Sequence, residues 1–321
     1  MTDQDRLAAY TALNNSFRQR LVFHMGVDSG FFSEYNNMVL AMLYCLQHRI
    51  RFVLYSDYAH FALRDGWNDF FEPFPATTTH RLHKDYNLRP YIIAQSTEPR
   101  LQKLVKYRGI VAAYKALTGV RYFTQDLWAF HRAPAFAQQR FRLPELGLPD
   151  ASLLEAAQAL IRMLWRYNAA SAAIVQEFTS TVALPKEYVA LHVRAGDKFT
   201  EARLYDFREV MEPAQRLSAN RQAFVLTDDY TVMEQLRAIY PDWHFHTLCE
   251  PTERGYFHRE FVRQPPEFKY RQHLKLFASM DLCAGASAFI GTYSSNPGMY
   301  LGMRMGEARC HCVDFDKWLI W

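Results

Sequence analysis

The second half of the sequence alternates short apolar runs with amphipathic segments, and this alternation restricts the possible folds more than any other feature. The apolar runs, each typical of a buried strand, are 188–193, 223–227, 244–248 and 288–292. The segments of helical periodicity are about 206–219, 231–239, 267–281 and the stretch from 296 onward. Strands that alternate with helices at this spacing predict a parallel, doubly wound sheet. Ligands bind beyond the carboxyl ends of such strands, so candidate sites are sought there.

The first half begins with a similar pattern. A strand at 21–23, a helix at 34–48 and a strand at 52–55 predict a βαβ unit. The turn between the first strand and the helix contains Gly26 and Gly30, which suit a tight change of direction.

The rest of the first half is less regular. Residues 57–150 are aromatic, rich in Pro and His, and show no clear period. Residues 151–178 carry one long helical periodicity that we expect to close the first half. The sequence therefore predicts an α/β protein with two Rossmann-like domains, 1–184 and 185–321, that face each other across a cleft.

Composition excludes several classes of protein. Half of the 321 residues are hydrophobic and 22% are charged, which supports a packed core and excludes a disordered chain. The 37 basic and 33 acidic residues leave a net charge of +4, too small to indicate a nucleic-acid partner. No run approaches the roughly 18 apolar residues of a membrane span, and the polar N-terminus does not resemble a signal peptide. We expect a soluble cytoplasmic protein, or an excised soluble catalytic region.

The five cysteines do not form a disulfide framework, because their number is odd and a chain of this length needs no covalent staples. Cys310-His311-Cys312 could start a soft-metal site. No second pair follows at zinc-finger spacing, so we predict buried thiols there and no metal site.

Charged residues follow the first strand of the second half directly. After His192 the sequence places Arg194, Asp197 and Lys198 within six residues, and Glu201 soon after. An Arg fork in the ligand crevice can make charge-assisted hydrogen bonds to phosphate oxygens. Alternatively, Asp197 and Lys198 pair with each other in a polar loop. The residues alone leave both interpretations open.

Polar residues also follow the second and fourth strands. Asp228 and Asp229 can bind a ribose or a base edge, or cap the next helix, and capping is favoured because Asp is a preferred N-cap residue. Thr292, Ser294 and Ser295 precede the last helix, where hydroxyl and backbone N–H groups form either an anion site or an ordinary serine cap. Three polar strand ends in one half of the chain favour a binding site.

Three short runs in this order resemble the motifs of a known family. HVRAGDKFTEA begins at His192, FVLTDD ends at Asp229, and FIGTYSSN ends at Asn296. Together they resemble the alpha-1,6-fucosyltransferase superfamily, to which the protein O-fucosyltransferases are more distantly related. The resemblance covers about 186–306, and a weak similarity is also present at 26–54.

The resemblance implies a GT-B fold, a GDP-fucose donor, and inverting chemistry that needs no metal and no cofactor besides the donor substrate. It implies that the C-terminal domain binds most of the donor and that a glycan or glycoconjugate is the acceptor. The donor-binding positions that it marks are His192, Arg194, Asp197, Lys198, Asp228, Asp229, Thr292, Ser294 and Ser295.

Within this set the resemblance implies separate roles. Arg194 is expected to bind the β-phosphate, either Asp228 or Asp229 the guanosine, and the two serines the pyrophosphate. Glu201 is the expected catalytic base, although it lies one residue closer to the Asp-Lys pair than in the animal enzyme of the family. Asp197 is its rival for that role.

The sequence departs from the family pattern at two positions. Ala195 stands where the animal enzyme has a second Arg, and Asp281 is displaced by about two residues from the usual place of an upstream Asp. Both departures bear on the identity of the donor. The alternatives to a fucosyltransferase are therefore the same chemistry with another nucleotide sugar, or a nucleotide-sugar-binding protein without turnover.

Other enzyme classes lack their motifs in this sequence. The first βα turns contain no GxGxxG, which argues against a dinucleotide-dependent oxidoreductase, and no GxxxxGK[ST] of a P-loop NTPase is present. The segment from Gly285 to Phe289 lacks the second Gly of the nucleophile elbow, which argues against a serine hydrolase.

Overall fold

The α/β class predicted from the alternation is confirmed by the computed structural model, which describes residues 1–194 and 207–315. The chain divides into two compact units, Met1–Arg166 and a second unit that begins at Tyr167. Each unit contains a parallel sheet whose strands alternate along the chain with helices.

The parallel sheet of the first unit has the strand order β2-β1-β3, and a separate antiparallel pair joins β4 to β5. The strands are β1 (Gln19–His24), β2 (Ile50–Tyr55), β3 (Tyr122–Phe123), β4 (Phe141–Leu143) and β5 (Leu148–Ala151). Phe23, Phe52 and Leu54 have no exposed surface, so the two predicted strands of the βαβ unit are core strands.

Helices connect and cover these strands. They are α1 (Asp3–Ser16), α2 (Phe31–Gln47), α3 (Leu82–Tyr86), α4 (Pro90–Gln95), α5 (Arg100–Leu104), α6 (Val111–Thr118), α7 (Thr124–His131), α8 (Pro134–Ala137) and α9 (Leu153–Leu164). A π-helical stretch, Val105–Ile110, joins α5 to α6. The α-helices described between 57 and 150 have eight residues or fewer, and the one longer helical segment, 100–118, is interrupted by the π-helical stretch, so that region shows no long period in the sequence.

The continuous helical segment predicted over 151–178 is wrong, because the structure has two helices there, α9 and α10 (Ala169–Ser180). Each begins with its own side-chain cap. The hydroxyl of Ser152 accepts the N–H of Glu155 at 3.3 Å, and the amide oxygen of Asn168 accepts the N–H of Ser171 at 2.8 Å. Asn is a preferred N-cap residue, so Asn168 carried the signal of a second helix start.

The two units separate between Arg166 and Tyr167, whereas the sequence analysis placed the domain boundary between 184 and 185. Helix α10, between these positions, packs in the second unit on α14 (Pro266–Gly285). The hydroxyls of Ser171 and Tyr270 lie 3.0 Å apart, and Arg271 pairs with Glu177 at 2.5 Å. These contacts fix α10 to the second unit.

The sheet of the second unit has the strand order β10-β9-β6-β7-β8, and its neighbouring strands pair in parallel. The strands are β6 (Val189–His192), β7 (Gln222–Leu226), β8 (His244–His246), β9 (Ala288–Gly291) and β10 (Cys310–Cys312). The remaining helices are α11 (Phe207–Leu217), α12 (Thr231–Ile239), α13 (His258–Phe261) and α15 (Asn296–Met305). The first four strands match the predicted apolar runs, and β10 was not predicted.

The core of the second unit is built around its central strands. Val189, Leu191, Val225 and Ile290 have no exposed surface, as expected for a parallel sheet covered on both faces. This burial leaves the strand ends as the places where polar side chains emerge. Among residues 1–194 and 207–315, no helix combines the length and apolar character needed to cross a bilayer.

Candidate functional site

Three of the predicted polar segments lie next to one another at the carboxyl edge of the second sheet. Strand β6, which ends at His192, pairs with β7 on one side and with β9 on the other. Because the strands are parallel, the segments that follow Leu226 and Gly291 leave the sheet at the same edge as Arg194. The strand order therefore brings the three motifs together.

His192 and Ser295 connect two of these segments directly. The Ser295 hydroxyl lies 3.3 Å from Nδ1 of His192, and both side chains are buried. The same hydroxyl accepts the N–H of Gly298 at 3.1 Å and donates to the carbonyl of Thr292 at 3.2 Å, so Ser295 caps α15. A Cβ at Gly298 would collide with the Thr292 carbonyl oxygen, so glycine is needed for this close approach.

The loop after β9 is held by a carboxylate that the sequence analysis did not identify. Asp314 accepts the backbone N–H groups of Tyr293 at 2.7 Å and of Ser294 at 2.9 Å. Burial by itself raises the pKa of the Asp314 carboxyl, but hydrogen bonds from Cys312, Ser294 and Tyr293 outweigh it, and the net shift is downward. Asp314 therefore stays ionised and fixes the backbone of the serine motif.

Strand β10 places Asp314 beside this loop. Cys310–Cys312 pairs in parallel with β9, so the chain that follows it runs next to the residues after Gly291. The Cys312 thiol lies 2.8 Å from the Asp314 carboxylate, and burial together with this hydrogen bond raises the pKa of Cys312 to about 11. The Cys-His-Cys sequence thus forms an edge strand.

Arg194 and Asp228, at the ends of β6 and β7, both contact Tyr256. The guanidinium carbon of Arg194 lies 5.7 Å from the centroid of the Tyr256 ring, within the range of a cation–π interaction. Asp228 accepts the backbone N–H of Tyr256 at 2.9 Å through its carboxylate and the N–H of Gly255 at 2.8 Å through its carbonyl. Gly255 has a φ of +97°, which suits glycine at this turn. Asp228 thereby positions the aromatic ring beside Arg194.

Asp229 has a different local role from Asp228. Its carboxylate accepts the N–H of Thr231 at 2.9 Å and the Thr231 hydroxyl at 2.8 Å, at the start of α12. Asp229 thus forms a local side-chain turn directly before α12, whose N-cap position is Tyr230 and has no side-chain cap hydrogen bond. Guanosine binding by either aspartate stays a prediction.

A buried lysine anchors the loop that carries Tyr256. Lys275 of α14 is only 7% exposed, and its ammonium lies 3.0 Å from Glu250 and 2.9 Å from Glu253. Opposite charges at these distances offset the cost of burying the ammonium. No sequence motif marks Lys275, which lies within an otherwise ordinary helical period.

Asp281 belongs to a separate polar network in the second unit. Its carboxylate pairs with Arg304 at 2.5 Å and accepts the Tyr167 hydroxyl at 2.8 Å. These bonds connect α14 with α15 and with the start of the second unit. Asp281, which is displaced from the position of the Asp in the family pattern, therefore has structural partners in this chain.

Glu201, Asp197 and Lys198 lie outside the described residues, so their predicted roles stay predictions. Within the described ranges no group of three or more His, Cys, Asp or Glu side chains is arranged to hold a metal ion. The charged groups that the structure does place at the sheet edge are Arg194, Asp228, Asp229 and Asp314.

The first unit has a buried polar cluster at the corresponding end of its own sheet. Glu34 of α2 accepts the N–H of Gly26 at 3.0 Å and forms an ion pair with Arg89, and both side chains are almost completely buried. Arg89 also lies over the rings of Phe23 and Trp128, at 4.9 and 4.4 Å. The glycine-bearing turn after β1 is thereby held rigidly.

No protein-family model matches the sequence, and no curated protein matches it. Among solved structures, the chain is similar to the NodZ alpha-1,6-fucosyltransferase soaked with GDP-fucose. The TM-score is 0.52 at 15% sequence identity, over 89% of this chain and 92% of that chain. The chain has the NodZ fold.

A second NodZ structure, from Bradyrhizobium, gives a TM-score of 0.50 at 14% identity, over 88% of this chain and 92% of that one. A selenomethionine form of the Bradyrhizobium enzyme gives 0.51 at 15% identity, over 88% and 91%. The resemblance predicted from three short motifs is therefore confirmed at the level of the fold, and the similarity extends well beyond the motifs to most of both chains.

Proposed function

We propose that the protein is an inverting, metal-independent glycosyltransferase that moves fucose from GDP-fucose to a hydroxyl of a glycan or glycoconjugate. The observation that supports this most is the convergence of Arg194, Asp228 and Ser294 at the ends of three adjacent parallel strands. A diphosphate and a nucleoside need cationic, N–H and carboxylate groups side by side. The NodZ fold supports the choice of GDP-fucose, because a NodZ structure was soaked with that compound.

In this proposal, Arg194 stabilises the leaving group. Its planar guanidinium makes paired hydrogen bonds to phosphate oxygens and supplies a positive charge where the departing GDP gains negative charge. The ring of Tyr256 restricts its position before the donor binds. The half-buried Ser294 has a hydroxyl at the same edge that hydrogen-bonds to Asp314, and the Ser295 hydroxyl is engaged in capping α15.

The transfer itself is a displacement at the anomeric carbon of fucose. The acceptor oxygen forms a bond to that carbon as the bond to the β-phosphate oxygen breaks, and the electron pair leaves with GDP. The proposal assigns the acceptor proton to the carboxylate of Glu201, and a positioned base of this kind contributes about 10²–10⁴-fold. Arg194 balances the charge of the leaving group, so this scheme routes no step through a metal.

The donor is tested by measuring thermal unfolding in EDTA with GDP, GDP-fucose, GDP-mannose, UDP and UDP-galactose. A ligand at 100 times its Kd stabilises the folded state by about 2.7 kcal/mol, so specific binding is readily seen. We expect GDP and GDP-fucose to raise the Tm and the uridine compounds to leave it unchanged. A larger shift with GDP-mannose than with GDP-fucose would favour another nucleotide sugar as donor.

Turnover is tested separately by measuring release of fucose and GDP from GDP-fucose, with and without glycan acceptors. We expect slow hydrolysis in EDTA that an acceptor hydroxyl accelerates. Binding of GDP-fucose without release of GDP would indicate a binding protein. Activity that appears only with added magnesium or manganese would contradict the metal-independent scheme.

A further inference from the structure

The helical segment at 100–118 exposes an apolar surface that none of the described residues of the first unit covers. It consists of α5, the π-helical stretch and α6, and is called the 100–118 helix below. Its inner side packs on the core of the first unit through Tyr107, Val111 and Tyr114, against residues that include Val22 and Phe123. Lys115 also lies over the ring of Phe123, at 5.0 Å, whereas several large apolar side chains of the segment are exposed.

The outer face of the 100–118 helix is aliphatic. Its large apolar side chains are Leu101 (72% exposed), Leu104 (46%), Val105 (55%), Ile110 (39%) and Leu117 (88%). Ala112, Ala113 and Ala116 are exposed between the last two of these. A helix that packs on a core through one face normally presents charged or polar residues on the other. Five large apolar side chains exposed on one helical segment are more than the singly scattered ones of an ordinary surface and indicate an interaction surface.

The charge of the segment has one sign. Between Glu98 and Asp126 the sequence contains no acidic residue, and its basic residues are Arg100, Lys103, Lys106, Arg108, Lys115 and Arg121. Lys106 pairs with Glu98 and Lys115 with Asp126, at the two ends of the acid-free stretch. The other three basic residues of the 100–118 helix, together with Arg121 just beyond it, give a local positive excess within a protein whose net charge is only +4.

We propose that the outer face of the 100–118 helix docks on a membrane surface that contains anionic lipids. A helix that lies in the plane of the bilayer places its aliphatic side chains at the acyl boundary and its Lys and Arg side chains among the headgroups. Each basic residue near an anionic surface adds to the attraction. The combination of an aliphatic face with basic residues and no acidic ones fits this surface.

The charge argues against a second copy of this chain as the occupant. In a two-fold contact through the same face, the same patch of one copy meets that patch of the other, so that residue i contacts j and j contacts i. The charged side chains of this helix are all Lys or Arg, so such a contact would bring like charges together, which destabilises it. An anionic lipid surface instead supplies the opposite charge.

The test is co-sedimentation of the full chain with vesicles of phosphatidylcholine, with or without phosphatidylserine. We expect binding to the vesicles that contain phosphatidylserine, weakened by salt, and little binding to phosphatidylcholine alone. Leu104→Gln and Leu117→Gln should each weaken partitioning about tenfold, from the loss of apolar burial. Arg100→Gln and Arg108→Gln should each weaken it about fivefold.

Matched control variants distinguish binding through this surface from nonspecific binding to the vesicles. Ile239→Gln changes an aliphatic side chain on α12 that is 43% exposed, close to the 46% of Leu104. Arg216→Gln changes an exposed Arg on α11. Both controls should bind vesicles like the wild type, and thermal unfolding should show that all variants are folded.

Three results would overturn the proposal. One is the absence of wild-type binding to vesicles that contain phosphatidylserine. Another is equal binding by folded Leu104→Gln and Ile239→Gln. The third is concentration-dependent dimerisation in analytical ultracentrifugation that Leu117→Gln abolishes while vesicle binding is unchanged, which would assign the face to a contact between copies.

Discussion

The ring of Tyr256 lies beside the guanidinium of Arg194, with 5.7 Å between the ring centroid and the guanidinium carbon. The backbone N–H of Tyr256 is held at 2.9 Å by the carboxylate of Asp228, which follows the neighbouring strand. One residue thus connects the ends of β6 and β7. The consequence is that the orientation of Arg194 depends on a loop residue far away in sequence.

Tyr256→Ala should weaken GDP binding by about fivefold to tenfold while leaving the fold intact. The aromatic surface beside Arg194 is lost, and a cation–π contact at a partly buried site contributes about 1 kcal/mol or more. Tyr256→Phe keeps the ring and should bind GDP nearly like the wild type. Isothermal titration with GDP measures both variants, and equal affinity of Tyr256→Ala and wild type would contradict the positioning role.

Asp314→Ala should lower both stability and GDP affinity. It leaves the partly buried N–H groups of Tyr293 and Ser294 without their acceptor, and each unsatisfied group costs up to about 1–3 kcal/mol. The serine loop loses its fixed backbone as a result. Urea unfolding measures the stability, and Asp150→Ala, which removes an exposed carboxylate, is the matched control. An Asp314→Ala protein as stable as this control would contradict the account.

Stability should fall below neutral pH because buried histidines of the first unit resist protonation. His24 donates Nδ1–H to the carbonyl of Asn87 at 2.8 Å. Burial lowers the pKa of His24 from 6.5 to about 3, and the charge of Arg89 adds to the shift. Between these two pH values the unfolded chain binds a proton that the folded chain does not. Stability is therefore complete above pH 6.5 and is lost progressively as the pH falls.

His24→Gln is the variant that isolates this effect. From pH 7 to pH 5 the wild type should lose about 2 kcal/mol through His24, at about 1.4 kcal/mol per pH unit below the pKa of the unfolded chain. Urea unfolding at the two pH values should show a correspondingly smaller loss for His24→Gln, whereas His244→Gln, at an exposed position, should behave like the wild type. An unchanged pH dependence in His24→Gln would contradict the burial argument.

The central strands of the second unit were predictable because each is an apolar run bounded by polar residues. The apolar runs predict buried strands, and the structure confirms it for residues such as Val189, Leu191 and Val225, which have no exposed surface. The local hydrogen bonds of Asp229 at the start of α12 were also predictable, since they involve a residue only two positions away. Strand β10 was not predicted because it has only three residues, one of them His311, and so short a run shows no periodic apolar pattern.

The support of the site could not be predicted in the same way. Tyr256 lies 28 residues from Asp228, and Asp314 lies 20 residues from Ser294. Neither contact leaves a periodic pattern, because each depends on where the sheet places two separate loops. Sequence motifs marked the strand ends, and the structure identified the residues that position them.

Glu201→Gln should bind GDP-fucose normally and lose most of its turnover. A base that accepts the acceptor proton contributes in the transition state and little to donor affinity. We expect kcat to fall about 10²–10⁴-fold with little change in the Kd for GDP. Steady-state kinetics with a competent acceptor measures the first and titration the second. Weaker donor binding with unchanged kcat would assign Glu201 to binding, and Asp197→Asn would then be examined as the base.

The most direct test of the account is titration of GDP into wild type and Arg194→Ala in the presence of EDTA. Arg194 follows β6 at the edge where the motifs converge, so its loss should remove a charge-assisted contact and weaken GDP binding by about tenfold or more. Arg194→Lys should recover only part of the affinity, because an ammonium lacks the planar fork. Thermal unfolding should show that both variants are folded. Undiminished GDP affinity in a folded Arg194→Ala protein would contradict the placement of the donor at this edge.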